Sequence, residues 1–396
     1  MSKWEIFKIG DVCKTSSGGT PLKLNNDYYD NGDIPWLVSG EVCQKNILNN
    51  KNYITQKGLE NSSAKLFPVN TVLVAMYGAT AGQVGILRFE SATNQAICGI
   101  LPNKRIIPEF LYYALLFKKS ELIAQATGNA QPNISQIKIK NTKIPVPPIE
   151  EQKRIVEILD KAFEGIAQAE ANTRRNLINA RELFDSYLNN IFRERGDEWT
   201  DKNLKDIAIE FGRGKSKHRP RNDKKLYGGN YPFVQTGDIR NSDHIVTNYS
   251  QTYNDTGLAQ SKLWKKGTVC ITIAANIAET AVLDFDACIP DSVIGLLVDD
   301  QKANNMFVEY MLQSFKLMLQ SKGKGSAQDN INMGTFKDLV FPFPPDLEIQ
   351  QDIVEKLDFL SSAKQKLETI YQSKLEAIAE LKQSILEKAF TGQLSQ

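Results

Sequence analysis

Two kinds of apolar pattern alternate along the chain. From 1 to 147, short apolar runs of strand type lie between Gly, Asn, Asp and Pro turn signals, and one helix-type stretch covers 108–126. From 199 to 345 the same mixture returns, with its helix-type stretch at 306–321. Each of these two regions is therefore predicted to form a compact domain of mixed α/β structure.

The intervening and terminal segments, 148–198 and 346–396, show a sustained period of seven. Each follows a proline cluster, which cannot continue a strand ladder and commonly precedes a helix. Heptads of this length predict a long helix that packs on another helix, and we expect the two to pair antiparallel as a coiled coil about 60 Å long. The polar residues that interrupt the heptads either fix the register or leave solvated gaps. They are Glu170, Thr173, Lys364 and Lys374.

The second half of the chain repeats the first about 195 to 198 residues later. IPWLVSGEV at 34–42 matches YPFVQTGDI at 231–239, and GNAQPNI at 128–134 matches GSAQDNI at 325–331. Two copies of one unit predict a pseudo-twofold molecule, which suits a target that also has two halves. The predicted fold is mixed α/β (α+β), with two pseudo-twofold-related globular domains separated by a pair of long antiparallel coiled-coil helices.

Composition indicates only a globular protein, but the distribution of charge adds to this. The 396 residues are 41% hydrophobic and 24% charged, without a secretory signal or an apolar run of about 20 residues, so we expect a cytoplasmic protein. Region 1–149 has 16 basic and 10 acidic side chains and 199–345 has 18 and 16, whereas both heptad segments have an acidic excess. An anionic partner is therefore expected at the α/β domains.

Motifs for catalytic chemistry are incomplete. Gly-Lys-Ser at 214–216 resembles the end of a phosphate-binding loop, but Ile209 stands where the leading glycine belongs. The two Pro-Pro pairs lack the preceding Asn or Asp and the following aromatic residue of an amine methyltransferase. We expect His218 and His244 in loops near phosphate or in solvent, and the five cysteines as buried thiols without zinc or disulfides.

One segment has the outline of a nuclease motif. Asp291, followed by Asp300 and Lys302, has the order of PD-(D/E)-x-K, in which two carboxylates hold a metal and the lysine polarises water. The counterpart in the first copy, 94–104, has no carboxylates, so this interpretation would make one half of a symmetric molecule an enzyme. A strand end followed by a charged turn explains the outline more simply. We therefore predict no catalytic residue and no metal site.

The strongest local binding signal is a basic loop at 213–225, RGKSKHRPRNDKK. Such a loop is expected to lie on phosphates with salt-dependent affinity, although a solvated loop would have the same composition. The corresponding loop at 14–23 is polar and glycine-rich, so the two copies differ where contact is predicted. The candidate contacts in these loops are Thr20, Arg213, Lys215, Lys217, Arg219 and Arg221.

Amide side chains form a second group of candidates, because they can bond adenine edges. The matched GxAQxNI segments contain Gln131, Asn133, Gln328 and Asn330. Their identity in both copies favours a shared structural role or a common backbone contact. Positions that differ between the copies are better candidates for base reading, namely Tyr77, Thr80, Asn94 and Gln95 in the first copy and Asn276 and Asp291 in the second. The predicted DNA contacts also include Ser39, Thr236, Lys322 and Lys324.

The chain resembles the specificity subunits of Type I restriction-modification systems over essentially its whole length. The resemblance rests on the two α/β regions, on PxPPxEEQxxIV at 145–156, which returns with changes at 342–354, and on the GxAQxNI segments. It implies a non-catalytic subunit that reads a split, asymmetric target in double-stranded DNA. The implied domains are target-recognition domains at 1–147 and 199–345 and long helices at 148–198 and 346–396.

The same resemblance implies the partners. Two modification (methyltransferase) subunits would dock on the helices and bring S-adenosylmethionine, and restriction (motor-nuclease) subunits would use ATP and Mg²⁺, whereas this chain would hold no cofactor. Two alternatives from other classes remain open. An autonomous metal-dependent DNA endonuclease would cut DNA without partners, and a coiled-coil scaffold without a DNA role would lack salt-dependent DNA binding.

Overall fold

The structure, a computed structural model, describes residues 4–125, 133–274, 276–323 and 330–395. The chain divides into two compact units. The first unit contains Met1–Arg174 and Ser373–Gln396, and the second contains Arg175–Gln372. Each unit therefore combines one α/β domain with part of each long helix.

In the first unit, two sheets form the α/β domain. The five-stranded sheet has the spatial order Thr15–Ser17, Ile97–Ile100, Val72–Ala75, Val84–Leu87 and Asn46–Ile47. The four-stranded sheet has the order Tyr53–Ile54, Ile34–Leu37, Ser91–Thr93 and Leu66–Phe67. Ile6–Lys8 pairs with Lys143–Pro145. The α-helices are Ile9–Val12, Gln56–Glu60, Pro108–Phe117, Lys119–Ala124 and Gln136–Asn141, and the 3-10 helices are Asn26–Tyr28, Ser39–Glu41, Gly78–Thr80 and, at the C-terminal end, Gln393–Ser395.

The second unit repeats this design. Its five-stranded sheet has the order Ala208–Arg213, Val293–Val298, Val269–Thr272, Thr280–Leu283 and Ile245–Val246. Its four-stranded sheet has the order Gln251–Tyr253, Tyr227–Phe233, Ala287–Cys288 and Leu263–Trp264, and Thr200–Lys202 pairs with Phe341–Phe343. The shorter helices are Lys224–Leu226 (3-10), Thr236–Asn241, Asp255–Ala259, Asn305–Ser314 and Lys316–Gly323. The mixed α/β class and the duplication are thus confirmed.

The stretches predicted as one helix in each copy are in fact two helices. In the first unit the break falls at Lys118, and in the second at Phe315. Both residues have φ near −85° and ψ near 0°, a conformation that turns the chain out of the α-helix. The apolar pattern continues across both breaks, so the pattern alone does not reveal them.

The heptad segments form the two long helices, as predicted. They are Ile149–Arg193, of 45 residues, and Leu347–Phe390, of 44 residues. Both enter the cores of the units. In the first unit the rings of Phe110 and Phe390 lie 5.2 Å apart, and in the second those of Phe192 and Phe307 lie 5.4 Å apart. No helix in the described part of the chain is both long and apolar enough to span a membrane.

Within the first unit the two long helices run antiparallel. Arg154, near the start of the first helix, donates a hydrogen bond to the carbonyl oxygen of Leu394, just past the end of the second (2.7 Å). Further along, Glu170 of the first helix pairs with Lys382 of the second. Glu170 is one of the residues that interrupt the heptads, so this interruption joins the helices rather than leaving a gap.

The helix pair is also antiparallel in the second unit, where Arg181 bonds Glu368 at 2.6 Å and the Lys364 ammonium lies 4.4 Å from the ring centre of Phe184. The remaining polar interruptions differ in kind. Thr173, in the first unit, is buried and donates to the carbonyl of Ala169 one turn earlier, whereas Lys374 is exposed.

Candidate nucleic-acid interface

The basic loop at 213–225 is held by hydrogen bonds within the loop and by one from Ser261. Asp223 accepts a hydrogen bond from the backbone N–H of Lys225 (3.1 Å) and contacts the His218 ring (2.9 Å). These two bonds, with the Lys225 charge, hold the pKa of the Asp223 carboxyl below its ordinary value. The hydroxyl of Ser261 donates to the carbonyl of Lys215 (2.9 Å). Cations on this loop are therefore presented from a fixed backbone.

Asp291 contacts all three arginines of the basic loop. Nη2 of Arg221 donates to both of its carboxylate oxygens, at 2.7 and 2.8 Å. Arg219 lies 3.6 Å from the same carboxylate, and Nε of Arg213 donates to the Asp291 carbonyl. Within the described residues, the cations of this loop that have no ion pair or side-chain hydrogen bond are Lys215, Lys217 and Lys224. These lysines are the side chains most available to phosphate.

The structure separates the residues of the nuclease outline. Asp291 precedes the strand Val293–Val298 and Asp300 follows it. The strand alone spans roughly 20 Å at about 3.3 Å per residue, so the two residues lie beyond its opposite ends. Lys302 pairs with Asp299 instead (3.4 Å). Two carboxylates at opposite ends of a strand cannot share one metal ion. In the described ranges no three His, Cys, Asp or Glu side chains are grouped so that they could hold a metal.

The loop at 14–23 is anchored at the matching place in the first unit. Thr20 donates from its hydroxyl to the side-chain oxygen of Gln95. Gln95 lies two residues before the strand Ile97–Ile100, just as Asp291 lies two residues before Val293–Val298. The residue two positions before this strand therefore contacts the loop that differs between the copies. This residue is an amide in the first unit and a carboxylate in the second.

Several predicted base-reading residues of the first unit lie together. Tyr77 is 39% exposed and forms an isolated β-bridge with Asn133. The hydroxyl of Thr80 donates to the Tyr77 carbonyl (3.3 Å). These three residues thus share one partly exposed surface. Gln131 lies outside the described residues.

Three other candidates lie in a turn or at the start of a helix. The Asn94 side chain accepts from the backbone N–H of Ala96 (3.2 Å), so it stabilises the turn before the strand Ile97–Ile100. Ser39 begins the 3-10 helix Ser39–Glu41, and Thr236 begins the helix Thr236–Asn241 at the matching place. Both are partly exposed.

In the second unit the remaining candidates lie near one end of the five-stranded sheet. The carbonyl of Asn276 accepts a hydrogen bond from the hydroxyl of Thr272, and Lys322 is exposed on the last turn of Lys316–Gly323. Asn330 is exposed. Lys324 and Gln328 lie outside the described residues.

The ends of the two GxAQxNI segments make the same backbone contact. The N–H of Ile134 donates to the carbonyl of Met76 (2.9 Å), and the N–H of Ile331 donates to the carbonyl of Ile273 (3.2 Å). An equivalent bond in both units is what a shared structural role requires.

Two expectations about titratable side chains were wrong. His244 is only 7% exposed, and its Nδ1 lies 2.9 Å from a carboxylate oxygen of the fully buried Glu309. The partner is 65 residues away in the chain, so no local signal could have revealed it. Among the cysteines, Cys43 is exposed, whereas the other four are buried as predicted.

Comparison with known proteins assigns this architecture to a class. The family model described as "Type I restriction modification DNA specificity domain" matches residues 1–180 and again residues 196–377. The two matches fall on the two copies of the fold, so the class is that of duplicated DNA specificity proteins. The chain belongs to this family.

Curated relatives are similar over different lengths. The specificity subunit of the Type I restriction enzyme EcoR124I/EcoR124II from Escherichia coli is 31% identical over 158 residues, which span 39% of each chain. The MjaIX specificity subunit from Methanocaldococcus jannaschii is 27% identical over 59% of this chain and 57% of its own. This chain thus spans less than two thirds of both. The MjaVIII specificity subunit from the same organism is 25% identical over 99% of this chain and 93% of its own.

Solved structures show the same fold. A chain from the structure entitled "Structural basis underlying complex assembly and conformational transition of the type I R-M system" superposes with a TM-score of 0.81 at 22% identity, with 98% of each chain covered. The HsdS subunit from Thermoanaerobacter tengcongensis superposes with a TM-score of 0.57 at 20% identity, with 99% of this chain and 97% of that chain covered.

Proposed function

We propose that this chain is the DNA-reading specificity subunit of a Type I restriction-modification complex. The observation that carries the proposal is the family match in both copies of the fold. Two units of one design that differ in their exposed loops suit a target with two unlike halves. In this function residues 1–147 and 199–345 are the target-recognition domains, each reading one half-site, and 148–198 and 346–396 are the helices.

The subunit itself performs no catalysis in this proposal. Two modification subunits dock on the helices and supply S-adenosylmethionine for adenine methylation, and restriction subunits supply ATP- and Mg²⁺-dependent cleavage. The separation of Asp291 from Asp300 supports a non-catalytic chain. The assembly acts on double-stranded DNA. Its location in the cytoplasm stays a prediction from the sequence.

An apolar groove on the helix pair of the second unit supports the docking of a partner there. The groove has a volume of about 380 Å³, and two of its lining residues, Leu183 and Phe359, are 72% and 73% exposed. A contiguous patch of exposed apolar side chains is typical of protein interfaces. The helices' acidic excess makes them a poor surface for DNA and a suitable one for protein.

Methylome sequencing tests the proposal. The chain is co-expressed with its modification subunits in a host without adenine methylation, and one bipartite methylated motif is expected. The matched control omits only this chain and should show no methylation. Methylation without the chain, or metal-dependent cutting by the purified chain that Asp291→Ala abolishes, would contradict the proposal.

An exchange of domains tests the assignment of the half-sites. Residues 1–147 are replaced by the equivalent region of a relative that has a known motif. One half of the methylated motif should change and the other should stay. A change in both halves would show that the two domains do not read independently.

A further inference from the structure

A polar cleft of about 550 Å³ lies beside the basic loop in the second unit. Its walls come from the basic loop, from the strand Tyr227–Phe233 and the residues after it, and from the paired strand Gln251–Tyr253. The side chains that line it are Arg221, Asn222, Lys224, Tyr227, Gln235 and Gln251. All of them are capable of hydrogen bonds, and the cleft is open to solvent.

Arg221 is held in this cleft at both ends. Its side chain bonds the Asp291 carboxylate through Nη2, and its carbonyl oxygen accepts a hydrogen bond from the hydroxyl of Tyr227. The side chain is still 52% exposed, and Nη1 and Nε donate to no acceptor in the described part of the chain. A guanidinium fixed in this way loses little further side-chain entropy when it binds a ligand.

The opposite wall of the cleft carries a pair of amides. The side-chain nitrogen of Gln235 donates to the side-chain oxygen of Gln251 (3.1 Å), which holds both side chains in place. Each amide has a donor and an acceptor, and this is the pattern that complements N7 and N6 of adenine. The donors of an arginine complement N7 and O6 of guanine.

The first unit has different chemistry at the matching positions. Val38 stands in the place of Gln235, since IPWLV matches YPFVQ, and Gln95 stands in the place of Asp291. The backbone around them is alike, because Ile34–Leu37 and Tyr227–Phe233 each pair with the equivalent strands of their sheets. Sites that read unlike half-sites must differ between the two copies, and these positions do differ.

We infer that this cleft reads base edges of the half-site bound by the second unit. Arg221 and the amide pair of Gln235 and Gln251 contact the bases, and Asp291 is a positioning residue that aims Arg221. The ligand class is the purine edge in the major groove, guanine at Arg221 and adenine at the amides. The inference rests on the proposed function and adds the reading groups to it.

Binding selection on a library of randomised half-sites tests the inference, with the full chain in complex with its modification subunits. Three variants are compared, namely Arg221→Lys, Asp291→Asn and Gln235→Val. Arg221→Lys keeps the charge but not the planar donor pair, so general DNA affinity should stay while discrimination at one base pair falls about 5- to 150-fold. Asp291→Asn should relax the same base pair, and Gln235→Val a different one. The half-site read by the first unit should be unchanged in all three. Unchanged preferences at the other base pairs of the second half-site show that the second unit of each variant is folded.

Lys217→Ala is the matched control, because Lys217 is an exposed cation of the same loop that does not line the cleft. It should weaken binding to every sequence without altering the order of preference. The inference is overturned if the three cleft variants select the wild-type motif with unchanged preferences, even at reduced affinity. If the wild-type complex selects no motif at all, the proposed function itself fails, so the two failures are distinguishable.

Discussion

The two units hold an equivalent tyrosine against a long helix, but with different cations. In the first unit the hydroxyl of Tyr113 donates to Asp160 of the first long helix (2.5 Å). Lys45 pairs with Asp160, and its ammonium lies 4.9 Å from the centre of the Tyr113 ring. The Lys45–Asp160 pair is partly exposed, so solvent screens it and its expected worth is about 0–1 kcal/mol.

In the second unit the corresponding residue is a buried histidine, His244. The hydroxyl of Tyr310 donates to Asp358 of the second long helix (2.7 Å), and the ring of His244 lies 4.5 Å from the Tyr310 ring. His244 contacts Glu309, which also accepts hydrogen bonds from Thr280 (3.0 Å) and Gln313 (2.7 Å). Unlike the surface pair of the first unit, this is a buried polar network in which each donor depends on one carboxylate.

This difference predicts that one unit is sensitive to pH. Burial by itself lowers the pKa of His244, but the hydrogen bond and charge of Glu309, with the charge of Asp243, outweigh burial and the opposing charge of Lys364. The pKa of His244 is therefore raised above its ordinary value. A lysine remains protonated across the physiological range, whereas a histidine titrates within it. We therefore expect the stability of the second unit, through His244, to depend on pH.

Removal of the buried carboxylate should give the largest effect. Glu309→Ala leaves His244, Thr280 and Gln313 without their acceptor, and we expect a loss of about 3–5 kcal/mol in the free energy of unfolding of the second unit. Hydrogen exchange followed by mass spectrometry resolves the two units. Lys45→Ala is the matched variant in the first unit and should cost about 0–1 kcal/mol there. Equal losses would show that burial does not distinguish the two contacts.

Removal of the unpaired lysines tests the difference between the two loops. The triple variant of Lys215, Lys217 and Lys224 to Ala should lower the slope of log affinity against log salt by up to about 2.7, since each phosphate contact contributes roughly 0.9. Lys14→Ala, in the polar loop of the first unit, should lower it by at most about 0.9. DNA binding measured over a range of salt concentrations checks this. An unchanged slope in the triple variant would remove the basic loop from the interface.

A change of pH should give the smallest effect and confine it to the second unit. Because the folded-state pKa of His244 is raised, its contribution to stability is fully present below the unfolded pKa of about 6.5 and is lost as pH rises through the folded value. Hydrogen exchange is measured for His244→Gln and for the unmodified chain at each pH. The comparison at equal pH cancels the pH dependence of the intrinsic exchange rate. The stability difference in the second unit should shrink as pH rises, and none should develop in the first. A difference that does not depend on pH would show that His244 does not change its protonation.

Local pattern and composition were enough to predict the long helices, the duplication and the basic loop. The 3.5-residue spacing of apolar positions reports directly on helix packing, so it predicted the two long helices. The repeat predicted two units of one design, and the density of cations located the basic loop. The helix breaks at Lys118 and Phe315 were missed because the apolar pattern continues unchanged where the backbone turns.

Only the tertiary structure decided which side chains meet. Arg221 and Asp291 are 70 residues apart in the chain, and His244 and Glu309 are 65 apart. The antiparallel pairing of Ala208–Arg213 with Val293–Val298 brings Asp291 to the basic loop. The packing of Asn305–Ser314 on the five-stranded sheet brings Glu309 to His244. A cation counted along the sequence has the same charge whether it is free or paired, so composition could not separate Lys217 from Arg221. Charge availability, burial and pKa depend on distances in space, and the chain's linear order does not contain those distances.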